Sequence, residues 1–146
     1  MKKEYKVTVK KRIDGTKIER WFFKDNLHRE DGLAYIEYNK DGSIKHEQYW
    51  IEGKNHKEDG PAIIDYYKDG SIRYEYYYIE GKRHREDGPA YIEYNKDGSI
   101  WYKEYYIEGN KVLPFESRQE FLKRSKSCAG KIVEIDGKKY KLEEVE

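Results

Sequence analysis

Apolar and polar residues alternate along this chain in short bursts, and each burst closes on a polar cluster that contains glycine. Ala62-Ile63-Ile64-Asp65-Tyr66 is β-branched and aromatic and runs into Tyr67-Lys68-Asp69-Gly70, where neighbouring copies have Asn39-Lys40-Asp41-Gly42 and Asn95-Lys96-Asp97-Gly98. Such clusters predict a type I turn followed by a left-handed glycine, a common hairpin closure. A second strand is expected over residues 72–79, ending at the tight-turn signal Glu80-Gly81. Residues 82–84 then fold back briefly before an Arg-Glu-Asp-Gly-Pro loop resets the chain. Glycine and β-branched residues recur too often here to sustain a 3.6-residue period. Simple alternation puts Ala62, Ile64 and Tyr66 on one face with Ile72, Tyr74, Tyr76 and Tyr78. Arg73, Glu75, Tyr77 and Ile79 then point the other way, so both faces carry rings. Columns are expected at Ile36/Ile64/Ile92 and Ile44/Ile72/Ile100, continued by Trp50/Tyr78/Tyr106.

The pattern is periodic. His28-Arg29-Glu30-Asp31-Gly32 returns as His56-Lys57-Glu58-Asp59-Gly60 and as His84-Arg85-Glu86-Asp87-Gly88, a spacing of 28 residues both times. Residues 34–44 recur unchanged as 90–100. A partial fourth copy, Tyr105-Tyr106-Ile107-Glu108-Gly109, lapses at Val112, and Trp21-Phe22-Phe23 belongs to a degenerate half-copy. Divergent ends suit an array, whose terminal units lack a neighbour on one side. Past Pro114 the pattern changes. Ser117-Arg118-Gln119-Glu120 is a capping box ahead of Phe121-Leu122 and predicts a short helix. Ile132-Val133-Glu134-Ile135, Asp136-Gly137 and Tyr140-Lys141-Leu142 predict a last hairpin that shields the open edge. The expected fold is all-β, an antiparallel meander of 28-residue hairpin units with a short C-terminal helix and capping hairpin. Capping strands occupy residues 1–20, the array 21–112, and the helix with its hairpin 113–146.

Composition fits a thin structure. Charged residues make up 40% of the 146, and the mean hydropathy is -1.19, values that accompany disorder; sixteen tyrosines argue for folding instead. A lone Cys128, no signal-like stretch and no apolar run long enough for a membrane span lead to the expectation of a soluble cytoplasmic protein. Residues 1–20 carry eight basic and three acidic side chains, residues 21–110 thirteen and nineteen, and residues 111–146 nine and seven. The array is therefore acidic, which disfavours nucleic acid as a direct ligand.

Candidate chemistry is sparse. His28, His56 and His84 invite a zinc reading, but equivalent positions two strands apart sit about 9–10 Å from one another, too far for one ion. They are read as structural, each bonding the adjacent loop and fixing its Asp-Gly turn, together with Gly32, Gly60 and Gly88. The Glu-Asp pairs recur identically, whereas catalysis needs one privileged site. Ser43, Ser71 and Ser99 are turn residues, and nothing around Cys128 marks a nucleophile. No catalytic residue, metal or cofactor is expected.

The run Tyr77-Tyr78-Ile79-Glu80-Gly81-Lys82-Arg83-His84-Arg85-Glu86-Asp87-Gly88-Pro89-Ala90 resembles MORN-like repeats, and more closely their His-Arg-x-x-Gly-Pro-Ala variant in bacterial and large-virus proteins. Some bacterial relatives resemble the YwqK-type antitoxin family. The resemblance covers about residues 21–109 and implies hairpin arrays used for protein or lipid contact. Two departures stand out: the unit is longer than the usual MORN repeat, and Leu33 replaces the proline of Pro61 and Pro89. A rigid, acidic, tyrosine-rich surface suits a basic protein partner. The expected function is non-catalytic binding and inhibition of a nucleic-acid-handling protein, as an antitoxin or a phage or mobile-element anti-defence protein. Oligomers are compatible with this, and a nucleotide-signal sponge and a structural scaffold are the alternatives. Contacts are expected at Trp50, Tyr78 and Tyr106, or on the opposite face at Tyr49, Tyr77, Trp101 and Tyr105.

Overall fold

A computed structural model describes residues 3–113 and the backbone of two later strands. Strands β1 (Lys6–Lys11), β2 (Lys17–Phe23), β4 (Tyr35–Tyr38), β5 (Ile44–Gln48), β8 (Ile63–Tyr66), β9 (Ile72–Tyr76), β12 (Tyr91–Tyr94) and β13 (Ile100–Ile107) lie side by side in that order. With β3 (Asn26–Leu27) on β2 and β14 (Asn110–Val112) on β13 they make one ten-stranded antiparallel sheet. The fold is thus all-β, a meander of hairpins, with no helix among the described residues. The helix expected from Ser117 onward lies outside them. The last hairpin is present as β15 (Ile132–Ile135) paired with β16 (Lys138–Lys141), but it makes a two-stranded sheet of its own and does not pair with the array's last edge, which it was expected to shield.

The wide turns close as their residues dictate. Asn39 donates its N–H to the Ser43 carbonyl, Gly42 donates to the Asn39 carbonyl, and Asp41 accepts from the amide and hydroxyl of Ser43. Gly42 has φ +87° and nothing within 4 Å of a would-be Cβ, so glycine is there for its backbone, not for space.

Each later hairpin also carries a β-bulge, which alternation alone does not reveal. Asp65 pairs with Tyr74 and Tyr66 with Ile72, leaving Arg73 as an extra residue; Lys45 and Trp101 are its equivalents. The extra residue inverts the alternation beyond it. Ile72 stays opposite Tyr66, but Tyr74 and Tyr76 move to the face of Asp65 and Ile63, so the expected grouping of Tyr74, Tyr76 and Tyr78 with Ile64 is wrong. The strand expected over residues 72–79 also breaks at Tyr77. Its last residues form β10 (Tyr78–Ile79), which pairs with β11 (Lys82–Arg83); β6 (Trp50–Ile51) and β7 (Lys54–Asn55) do the same one unit earlier.

One side of the sheet repeats itself; we call it the framework face. Across it Glu19, Ile36, Glu47, Ile64, Glu75, Ile92 and Lys103 stand opposite one another in register. Tyr66 and Tyr94 donate their hydroxyls to Glu47 (2.9 Å) and Glu75 (2.8 Å), each reaching back one unit. Desolvation, and then these hydrogen bonds, push both phenol pKa values upward. Ala34, Ala62 and Ala90 are fully buried beside Ile36 and Ile92, and Ile18, on the other side of the sheet, completes the apolar core. So small a core leaves much of the stability to hydrogen-bonded ladders and ring packing.

Candidate binding surface

In each unit the repeated loop returns to the framework face. The Arg29 guanidinium lies 3.9 Å over Trp21, the Lys57 ammonium 4.0 Å over Tyr49 and the Arg85 guanidinium 4.1 Å over Tyr77. Arg85 also donates to Asp87 (2.8 Å) and to the Pro89 carbonyl (3.3 Å), and Arg29 does the same to Asp31 and Leu33. A Cβ on Gly88 would stand 3.1 Å from the Arg85 guanidinium carbon and one on Gly32 3.2 Å from that of Arg29, so these glycines leave room for the flat cation. At Gly60 the neighbour is the flexible Lys57 at 3.5 Å.

The three histidines clasp one unit to the next. His28 Nδ1 accepts the Glu52 N–H at 2.9 Å, His56 Nδ1 that of Glu80 at 3.1 Å, and His84 Nδ1 that of Glu108 at 3.1 Å. The partner is therefore the Glu-Gly turn of the following unit, not the Asp-Gly loop beside the histidine, as the sequence had suggested. Those turns need the help, because Glu52, Glu80 and Glu108 sit at φ +49°, +49° and +50°. With Nδ1 accepting, the ring proton is on Nε2, which faces Glu30, Glu58 or Glu86 at 3.8–3.9 Å. Only His28 is fully buried, under Tyr5 and Phe23. No group of three or more His, Cys, Asp or Glu side chains among the described residues is placed to hold a metal ion.

On the other side of the sheet the residues of β2, β5, β9 and β13 and of the short return strands differ from copy to copy, while Tyr35 and Glu37 recur as Tyr91 and Glu93; we call it the variable face. Register-equivalent positions read Arg20, Gln48, Tyr76 and Glu104; Ile18, His46, Tyr74 and Tyr102; Leu27, Asn55, Arg83 and Lys111. Lys45, Arg73 and Trp101, the bulge residues, lean to this side: Lys45 reaches Glu37 at 2.9 Å and Arg73 lies 4.7 Å over Tyr74. Rings gather toward the C-terminal units. Tyr76 and Tyr91 pack at 4.8 Å, and Tyr74 stacks on Tyr91 at 6.2 Å and 16°. Arg83 is their hub, over Tyr76, Tyr91 and Tyr106 at 5.2–5.7 Å and donating to the hydroxyls of Tyr78 (3.2 Å) and Tyr106 (3.3 Å). Next to it Glu104 accepts from Lys111, Tyr102 and Tyr106; the Lys111 bond is the chief reason its carboxyl is held down at about 2.

The expected contact sets are thereby redistributed. Trp50, Tyr78 and Tyr106 lie on the variable face, where Trp50 donates to Gln48. Of the second set, Tyr49 and Tyr77 belong to the framework under their loop cations, and Tyr105 lies on the same side, with Lys103 6.0 Å over its ring. Trp101 instead stands beside Tyr102 at the rim of the variable face, 66% exposed. Sequence reasoning missed Tyr74, Tyr76, Arg83, Tyr91 and Glu104 as one cluster, although the disagreement among Leu27, Asn55, Arg83 and Lys111 was readable once the bulge is counted. The ring-bearing sheet is also not uniformly acidic. Glu37, Asp65, Glu93 and Glu104 are interspersed with Arg20, Arg73, Arg83 and Lys111, while carboxylates concentrate on the loop edge at Glu30, Asp31, Glu58, Asp59, Glu86 and Asp87. There a groove of about 650 Å³ runs between successive loops, lined by four of those carboxylates and by Lys57 and Arg85, whose cations already lie over rings. Compared with protein-family models, curated proteins and solved structures, the chain finds no match in any of the three.

Proposed function

We propose that the chain is a non-catalytic recognition protein that binds, and by covering it inhibits, a protein partner through its variable face. One observation carries this reading: register-equivalent residues agree on the framework face and in the loops, Lys103 excepted, whereas on the opposite face those of β2, β5, β9 and β13 and of the short return strands diverge, with only the β4, β8 and β12 positions (Tyr35, Ile63 and Tyr91; Glu37, Asp65 and Glu93) staying alike. Every internal unit meets the same neighbours, so a residue the fold requires is required in each copy. A position that varies among copies is released from that requirement and is available for recognition. What fills those positions is the chemistry of binding hot spots, with Tyr76, Tyr78 and Tyr106 around an arginine held in place by rings and hydroxyls, the repeated Tyr91 packed against Tyr76, and Trp101 at the rim.

The loop edge, with Glu30, Asp31, Glu58, Asp59, Glu86 and Asp87, is acidic, which steers a basic protein toward the molecule and repels phosphate backbones. A nucleic-acid-handling effector, as countered by an antitoxin or an anti-defence protein in the cytoplasm, fits that chemistry. The test is affinity capture from host lysate with the full chain, with recovered proteins identified by mass spectrometry. Tyr76→Ser/Arg83→Ser/Tyr91→Ser is expected to lose the partner, and Lys40→Ser/Lys68→Ser/Lys96→Ser, on the opposite turn edge, to keep it. Equal recovery by both, with circular dichroism unchanged, would count against the proposal.

A further inference from the structure

The geometry points to a second recognition element: the outer edge of β13, residues 100–104, accepts an extended segment of a partner protein as an added strand. This goes beyond the variable-face reading and uses different atoms, the backbone of an edge strand.

The array itself shows what such an edge takes. On this same side β2 is covered by β4, β5 by β8 and β9 by β12. In each case an N–H past the end of the paired stretch (Trp21, Tyr49, Tyr77) donates at 2.8 Å to the alanine that leads the covering strand (Ala34, Ala62, Ala90). Tyr105 is the next in that series. No strand among the described residues pairs with residues 100–104 on that side, and Ile100, Trp101 and Tyr102 are 50%, 66% and 44% exposed. The Glu104 carbonyl accepts from Ala90 on the inner side, so alternation turns the N–H and C=O of Lys103 outward. Main-chain groups so displayed are a template for strand addition.

The occupant is a different protein. Twenty-eight residues beyond Tyr91-Ile92-Glu93-Tyr94 the chain reads Gln119-Glu120-Phe121-Leu122, which does not copy a covering strand. In a second copy β4, β8 and β12 are already used, its β1 edge carries Lys6, Lys10 and Lys11, a pattern that deters strand pairing, and its own β13 edge would bring a second Lys103 to the seat and no carboxylate to meet the first. The seat also differs from the covered ones at one position. Glu19, Glu47 and Glu75 give way to Lys103, and Glu47 and Glu75 are the groups that accept the hydroxyls of Tyr66 and Tyr94. An incoming strand therefore matches best with an apolar residue opposite Lys103 and a carboxylate where the array's own strands have that tyrosine.

The probes are two synthetic peptides, Gly-Pro-Ala-Tyr-Ile-Glu-Tyr-Asn, copied from residues 88–95, and the same sequence with glutamate in place of its second tyrosine. Each is titrated into the isotope-labelled full chain and followed by amide chemical shifts. Shifts are expected at Lys103 and Tyr105, with the glutamate peptide binding about two- to fivefold more tightly, the range of an exposed ion pair. Lys103→Glu should reverse that preference. Lys103→Pro removes an outward N–H without taking a bond from β12 and should abolish the shifts. Absence of shifts with both peptides, or a preference unchanged by Lys103→Glu, overturns the proposal, even if the proline variant fails to fold. The Tyr76/Arg83/Tyr91 variant should bind the peptides normally. Loss of binding there would assign them to the variable face and overturn the edge proposal alone.

Discussion

If the histidines hold unit to unit, removing one should loosen the turn it bonds and leave the other turns closed. His84→Ala deletes the acceptor for the Glu108 N–H, a hydrogen bond of 3.1 Å at an exposed site. A bond of this kind contributes about 0.5–1.5 kcal/mol net. A loss near 1 kcal/mol speeds exchange of the Glu108 amide about fivefold, since 1.4 kcal/mol is tenfold. His28→Ala removes the same kind of bond to Glu52 and also the ring contacts to Tyr5 and Phe23 at 6.1 and 5.5 Å. Ring pairs contribute about 0.5–1.5 kcal/mol each, so that change should cost about 2–3 kcal/mol in all. Native-state hydrogen exchange is the assay, because a repeat array need not unfold in one step. Asparagine places an oxygen near the position of Nδ1, so His84→Asn should restore much of the protection. The reasoning is refuted if Glu108 exchanges at the same rate in His84→Ala, or if Glu52 and Glu108 both quicken when only His84 is changed.

Other outcomes follow from the same structure. Gly88→Ala should push Arg85 off Tyr77 and lower the melting temperature, whereas Gly60→Ala, facing the mobile end of Lys57, should be nearly neutral; equal effects would contradict the close approach at Gly88. Asp25 stands at φ +63° where the later tight turns have glycine, so Asp25→Gly should stabilise by about 0.5 kcal/mol, the left-handed penalty less the added freedom of the unfolded chain; urea titration reads it. Glu104 has its carboxyl pKa lowered on folding from 4.5 to about 2, so its contribution is complete above pH 4.5 and fades as pH falls toward 2. Glu104→Gln should flatten the pH dependence of stability in that window, and an unchanged acid limb would refute the assignment.

Much of the fold was legible because it depends on local chemistry repeated at a constant spacing. The Asn-Lys-Asp-Gly turn, the Glu-Gly turn and the short return at Lys82-Arg83 each follow from residues adjacent in sequence. The faces were not legible. Arg73 bulges out of a pairing whose 28-residue period stays intact, so nothing in the spacing reports it, yet it carries Tyr74 and Tyr76 across the sheet. The role of His84 was hidden for a different reason: its partner amide lies 24 residues on, in the next unit. For the binding surface, repetition drew attention to the histidines and loop glycines, which serve the fold. Arg83 escaped notice because its equivalents, Leu27, Asn55 and Lys111, do not repeat it, and that same divergence marks its side of the sheet for recognition.

The central claim, that the side on which the copies differ is the side that binds, is tested most directly by side-chain oxidation footprinting of the full chain with and without its captured partner. Complex formation is expected to protect Tyr76, Tyr78, Tyr91, Trp101 and Tyr106 while the rates at Tyr38, Tyr66 and Tyr49 stay as they were. Protection confined to the framework tyrosines, with the variable-face rings as reactive as in the free chain, would contradict it.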